Sequence, residues 1–429
     1  MKRIVLSAAL FLIFLIAYSQ DNTAIYLMKN NTENLAFNPA NPVTHNYYIN
    51  IPVLGNFSAT GRMPFSYNNL FRTNDDNSLT VTPRNMYNVL KKNNVVSASV
   101  NDKIIGGGFR VNNTFFDIGL SFKTDFNMLI PKELVGLIVN GNAYYADKNE
   151  TLVFDNMYVN LNSYVEFGVG VQQTFSDKLI VGIRPKFLLG LANVETRKLN
   201  ATFYTSPEYD SIWVKEDILL KSSCLYDYIN KNGVGKFFGN RGFAFDLGVT
   251  YKINDQFSIG ASILDLGVIW WNSNDYEFKA DGEVAFKGIE LDLLQQNLSL
   301  QGELDSLAKI LNIKTEEIPK YTTHTNTKVL LQGNYDINDI HRISASARLD
   351  FIETQQYPYF SVAYVCNPTR WFEVVANTYY YRQMFNLGTA LGFSIGPFYL
   401  NMSVATLLNV NRLENVKAFS AGIGMSFVW

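Results

Sequence analysis

Phe419-Ser420-Ala421-Gly422-Ile423-Gly424-Met425-Ser426-Phe427-Val428-Trp429 closes the chain. Phe419, Ala421, Ile423, Met425, Phe427 and Trp429 fall on one face, and Ser420, Gly422, Gly424, Ser426 and Val428 on the other. A period of two is the geometry of a β-strand, whose side chains alternate across the sheet. The run matches the ~9–11 residues a tilted strand needs to cross a bilayer. It is roughly twice the ~5–6 residues of an ordinary soluble strand.

The same pattern recurs upstream. Phe385, Leu387, Thr389, Leu391, Phe393 and Ile395 alternate with Asn386, Gly388, Ala390, Gly392 and Ser394. Ile343, Ala345, Ala347, Leu349 and Phe351 alternate with Arg342, Ser344, Ser346, Arg348 and Asp350. Phe243 to Tyr251 opposes Asp246, Gly248 and Thr250; Val165 to Val171 opposes Glu166, Gly168 and Gly170; Leu179 to Leu189 opposes Gly182, Arg184 and Lys186. One face is large and apolar, the other small or charged. A soluble barrel puts its large residues inside, whereas here the charges recur too regularly for a dry core. The polar face therefore lines the lumen and the apolar face meets lipid.

Connection lengths supply an independent test. Bacterial outer-membrane barrels have short periplasmic turns and long outer loops. Turn dipeptides fall at Asn112-Asn113, Ser176-Asp177, Asn254-Asp255, Asn338-Asp339, Asn367-Pro368 and Gly396-Pro397. Long inserts at 59–94, 127–162, 193–240 and 271–323, and shorter links at 353–356, 382–383 and 408–415, fill the alternate positions. The final strand runs down to the periplasm, so every tight turn is periplasmic. The reading is an all-β transmembrane antiparallel barrel of about fourteen strands, with short helices in its extracellular inserts. The spacing predicts helices at 131–140, 83–92 and 303–311, a hairpin turning at Ser206-Pro207, and β-structure over 276–286 above the membrane. Trp270-Trp271 and Tyr379-Tyr380-Tyr381 are expected in the outer aromatic girdle.

Composition agrees. The 429 residues are 14% aromatic and carry a net charge of −2, which gives no reason to expect a nucleic-acid partner. Lys2 and Arg3, the apolar run Ile4 to Ala17 and the small residues Ala17 and Ser19 mark residues 1–19 as a signal peptide. After it, no stretch has the ~20 apolar residues of a membrane helix. Residues 46–429 form the barrel, in the cell outer membrane. Cys224 falls in an outer insert and Cys366 at a periplasmic turn, too far apart to pair. His45, His324 and His341 are the only histidines. His324 and His341 fall at opposite ends of the barrel, so no metal centre, cofactor or enzyme site is expected.

Ala36-Phe37-Asn38-Pro39-Ala40 resembles the Asn-Pro-Ala element near the mature N-terminus of the long-chain fatty acid transporter superfamily. Pro131-Lys132-Glu133-Leu134, Asp265-Leu266-Gly267, Tyr321-Thr322-Thr323 and Gly396-Pro397-Phe398 resemble an uncharacterised outer-membrane family of the Bacteroidota, a domain of unknown function. The wider clan includes the PorV-like barrels of the type IX secretion system. The resemblance implies fourteen strands and an N-terminal segment, 20–45, that plugs the lumen. A terminal strand ending in Phe427 and Trp429 looks like the signal read by the barrel assembly machinery.

Two functions follow as expectations. One is passive uptake of small hydrophobic molecules. The other is a non-transporting barrel that docks secretion-system or surface proteins. The lumen charges Glu166, Arg184, Lys186, Asp246, Arg342, Arg348, Asp350 and Glu373 are the candidate site. They form either a selectivity track or structural ion pairs that fill the pore.

Overall fold

In hydrocarbon each backbone N–H and C=O must find a partner within the protein, and alternating strands achieve this only by closing on themselves. The computed structural model describes residues 23–76, 78–209, 211–230, 237–286, 311–352, 355–382, 384–405 and 414–429. Its barrel strands are β1 (Tyr47–Asn50 and Asn56–Arg62), β2 (Asn93–Val111), β3 (Thr114–Pro131), β4 (Tyr158–Thr174) and β5 (Leu179–Thr205). They continue as β6 (Arg241–Lys252), β7 (Phe257–Trp271), β8 (Tyr321–His324 and Lys328–Asp336), β9 (His341–Ile352) and β10 (Gln355–Thr369). The last four are β11 (Phe372–Tyr381), β12 (Met384–Ile395), β13 (Phe398–Ala405) and β14 (Ala418–Val428). Each pairs antiparallel with its neighbours in sequence. β1 pairs with both β2 and β14, which closes the cylinder. The expected fold, an outer-membrane barrel of fourteen strands, is the one observed.

Burial follows the sequence alternation. Phe385 is 71% and Ile395 70% exposed on the outer wall, while Ser420 and Ser426 are buried inside. At the C-terminus the Phe427 ring packs on Phe398 and Trp429. The Trp429 carbonyl accepts the backbone N–H of Asn46 at 2.6 Å, joining the chain's end to the start of β1.

β1 is interrupted. Residues 50–55 of β1 stand opposite 104–106 of β2, so the surplus bulges outward. Val53 has φ 68° and is exposed together with Leu54 on the lipid side.

The inserts build a second layer. β5 continues past the barrel rim and forms a hairpin with Ile212–Ser223. Asp275–Phe286 pairs along the far edge of that hairpin, with Lys314–Ile318 beyond it and Leu152–Phe154 on the other side of β5. Helices Pro83–Val89 and Lys132–Asn140 lie on other inserts, the second beginning one residue after Pro131. The signal peptide, the expected helix at 303–311 apart from Leu311, and the links at 353–354, 383 and 408–413 lie outside the described residues.

Three expectations change. The turn placed at Asn367-Pro368 lies three residues later, at Arg370-Trp371; Asn367-Pro368 instead forms a register shift inside β10. Proline has no N–H to give the ladder, and a bulge accommodates that loss. Trp271 is fully buried and donates from Nε1 to Thr323 Oγ1 at 2.9 Å, so only the exposed Trp270 suits a lipid-facing girdle. Tyr379 and Tyr381 likewise turn inward and leave Tyr380 outside. A consecutive aromatic run on a strand must split between the two faces.

Candidate functional site

Residues 23–45 pack against inward-facing residues of the barrel wall. Ala24, Ile25 and Met28 pack against Ala363 and Val365 of β10, Val375 of β11 and Ala390 of β12. Thr23 Oγ1 lies 2.7 Å from Tyr359 Oη. Glu373 of β11 accepts the Lys29 backbone N–H at 2.5 Å, and Lys103 of β2 pairs with Glu33 at 2.8 Å.

The Asn38-Pro39-Ala40 element sits on three lumen glycines. The Asn38 side-chain oxygen accepts the Ala40 N–H at 2.8 Å, which fixes a tight local turn. Gln172 of β4 donates to the carbonyls of Pro39 and Asn41 at 2.8 and 2.7 Å. A Cβ at Gly182 or Gly248 would overlap Pro39 or Asn38, and one at Gly260 would crowd the Asn38 amide. These glycines allow the segment to lie directly on the wall.

Above the segment lies a chamber of about 170 Å³. Its floor is a charge cluster drawn from five consecutive strands. Lys186 Nζ of β5 lies 2.7 Å from Asp246 of β6, 2.6 Å from Asp265 of β7 and 3.6 Å from Glu166 of β4. Lys123 of β3 pairs with Glu166 at 2.8 Å and with Asp265 at 3.2 Å. Arg184 of β5 pairs with Asp117 of β3 at 2.5 Å. Lys186, Glu166 and Asp246 are almost wholly buried, and buried charges persist only when they are paired and hydrogen-bonded.

The outer end is drawn together by contacts across the lumen. Tyr158 Oη of β4 meets Tyr357 Oη of β10 at 3.0 Å. Arg382, in the link from β11 to β12, donates to Asn127 Oδ1 of β3 at 3.0 Å. Arg348 forms a two-point bond to Asp350 at 2.6 and 2.9 Å, lies over the Tyr359 ring, and leaves Asp350 to accept Tyr381 Oη at 2.8 Å.

The eight candidate residues thus divide by place. Glu166, Lys186 and Asp246 meet in one cluster with Arg184 beside it. Arg348 and Asp350 pair near the outer end. Glu373 holds the N-terminal segment. Arg342 pairs with Asp336 at 2.6 Å at the periplasmic mouth, half-exposed and away from the chamber. Sequence reasoning missed Lys103, Asp117, Lys123 and Asp265. Asp117 and Lys123 carry the alternation signal, since lumen parity on β3 selects them, whereas Lys103 stands at a register shift of β2. Asp265 does not carry it, because it sits at a bulge with φ 53° where inward and outward positions change places.

His45, on the N-terminal segment before β1, is buried edge-on against Tyr48 and Phe115, and neither ring nitrogen has a partner. Burial, with the Arg110 guanidinium second, lowers its pKa from 6.5 to about 4. Between those two values only the released segment binds the proton. Docking is therefore complete above pH ~6.5 and weakens as pH falls toward ~4. Hydrogen exchange at residues 35–48, corrected for intrinsic rate, should rise at pH 5 relative to pH 7.5. A His45→Phe variant should not show the rise; an equal rise there would assign the sensitivity to another group.

No curated protein matches the chain. Among solved structures it is similar to the Ralstonia pickettii toluene transporter TbuX, with 10% identity, TM-score 0.45 and coverage of 96% of this chain and 95% of that one. It is similar to a Pseudomonas aeruginosa FadL homologue, with 10% identity, TM-score 0.46 and coverage of 96% and 98%. It is also similar to the Pseudomonas putida toluene transporter TodX, with 8% identity, TM-score 0.43 and coverage of 96% and 93%. A family model matches residues 39–404, most of the chain, and the protein belongs to that family, described as a family of unknown function (DUF5723).

Proposed function

We propose that this barrel is a passive channel for small molecules, hydrophobic ones included, in which residues 23–45 are a removable stopper. The carrying observation is the chamber. It lies between the stopper and the contacts that cross the outer lumen, so a solute can occupy the barrel while the periplasmic exit is shut. The outward bulge of β1 supports entry of apolar bodies through the wall. It exposes Val53 and Leu54 to lipid, and Asn50, beside it, donates to Thr32 of the stopper at 3.3 Å.

A cross-link tests this. In a Cys224→Ser, Cys366→Ser background, Asn38→Cys and Thr250→Cys replace side chains whose polar atoms lie 3.4 Å apart. Oxidation should cut entry of the dye N-phenylnaphthylamine into intact cells to the level of cells without the protein, and reductant should restore it. Undiminished uptake by the locked protein would sink the channel reading.

A second reading is docking of secretion-system or surface proteins. It is favoured by Leu79, Val81 and Ile138, each more than half exposed on the outer inserts. If the locked protein still co-purifies with partners and complements a deletion strain, docking replaces transport.

A further inference from the structure

We propose that Asp275 is a proton-operated latch on the outer sheet: protonated, its carboxyl lets the sheet sit on the barrel rim; ionised, it loosens that seat and the outer wall of the chamber with it. The inference rests on the channel reading only for what the latch controls. Two strands of the outer sheet, Ile212–Ser223 and Asp275–Phe286, meet the rim where Ser223 pairs with Asp275. The residues that follow and precede them there, Cys224 and Asn274, have φ 62° and 57°, left-handed conformations that a non-glycine residue adopts at a cost. The Cys224 N–H donates to the Asn274 carbonyl at 3.0 Å and fastens the two turns to each other.

Asp275 is 1% exposed, and neither of its carboxylate oxygens has a hydrogen-bond partner of good geometry. The Ser223 hydroxyl and the Ser273 N–H lie close enough to favour the ionised form, but the hydroxyl already donates to the Ser273 carbonyl at 3.0 Å. The cations of this face are engaged elsewhere, Arg197 of β5 at 3.0 Å from Glu195 and Lys221 at 3.8 Å from Glu277. On the strand beyond, Ile318 stands opposite Asp275 and Glu316 opposite Glu277. The remaining titratable neighbours, the Cys224 thiol with Asp227 beside it and the Tyr321 hydroxyl, bring no positive charge. Burial therefore dominates and raises the Asp275 pKa from 3.8 to about 6, because an ionised carboxylate loses its water here and gains little in return.

The seat reaches the chamber through packed rings. Ile318, the cross-strand neighbour of Asp275, packs on a cluster that holds Tyr321, Trp271 and Tyr164. The Trp271 ring stacks on Tyr321 at 6.3 Å, and Tyr164 lines the chamber. Between pH 3.8 and about 6 the seated sheet holds a proton that the loosened sheet gives up. The opening equilibrium therefore rises with pH, by about tenfold between pH 5 and pH 7.5. The sign is opposite to that of His45, whose segment loosens as pH falls.

Hydrogen exchange at residues 221–224 and 273–277, corrected for intrinsic rate, reads the latch in the full-length protein in detergent. It should be about tenfold faster at pH 7.5 than at pH 5. In Asp275→Asn it should stay at the slow level at both. Glu195→Gln, which removes the other buried carboxylate of this face, should keep the parent's difference. Equal exchange of the parent at the two pH values would overturn the proposal, and so would loss of the difference in Glu195→Gln. These two measurements decide even if Asp275→Asn does not fold. Dye entry tests the link to the chamber, in a His45→Phe background that silences the stopper's own response to pH. Entry should be severalfold higher at pH 7.5 than at pH 5.5, and adding Asp275→Asn should abolish the difference. Entry that ignores pH while exchange follows it would overturn that link. Exchange that follows Asp275, with entry indifferent to the stopper lock, leaves the latch standing and removes the channel; lock-sensitive entry with pH-independent exchange does the reverse.

Discussion

Lys186→Met unfolds in urea at a clearly lower concentration than the parent barrel, with a loss of about 3–5 kcal/mol, the cost of stripping one partner from a buried ion pair. Lys186 Nζ is within 4 Å of three carboxylates. Without it, Lys123 still serves Glu166 and Asp265, but Asp246 keeps only the backbone N–H of Asp265, at 2.7 Å. Methionine fills a similar volume, so the loss reports charge rather than a cavity. Adding Asp246→Asn should return a large part of it. An unchanged urea midpoint in Lys186→Met would show that water entering the chamber already screens these charges.

Gly248→Val should expel the stopper and leave the wall standing. Valine suits a strand, and position 248 keeps its pairing to Gly182 and Ser262. Its side chain, however, would enter the space of Asn38 and Pro39, where the Asn38–Ala40 turn leaves the backbone no slack. Trypsin should then cut at Lys29, dye entry should rise severalfold, and neither change should respond to reductant. A protected Lys29 with parental dye entry would mean that the segment has a second seat.

The fold was legible because its two signals are local. Alternation identifies each face, as in Phe243 to Tyr251, and turn dipeptides such as Asn254-Asp255 identify the periplasmic side. Alternation also selected the eight candidate charges, of which seven are buried and Arg342 is not. Their partners were not legible. Lys103 meets Glu33, and Arg184 meets Asp117, through register and strand tilt, which depend on the whole circumference. Parity also fails wherever a bulge intervenes, so Asp265, the residue that joins Lys123 to Lys186, gave no alternation signal and stood out only in the Asp265-Leu266-Gly267 motif. Trp271 and Tyr381 show the same limit, because an aromatic residue reads as girdle or lumen only once its face is known.

The interrupted first strand bears on how the cylinder comes apart. A closed sheet has no edge to fray, so it must first part along one full ladder. Between β1 and β14 that ladder is two short zippers separated by the bulge. One joins Tyr48–Asn50 to Ser426–Val428, and the other joins Phe57–Arg62 to Ala418–Ile423. Between them the Met425 carbonyl accepts the Ile51 N–H at 3.0 Å and the Met425 N–H donates to the Leu54 carbonyl at 2.7 Å, so only these two bonds carry the ladder past the bulge. The bond from Asn50 to Thr32 ties the N-terminal segment to the same seam. The seam where the first strand departs from regular pairing is thus also a place where residues 23–45 are bonded to the wall.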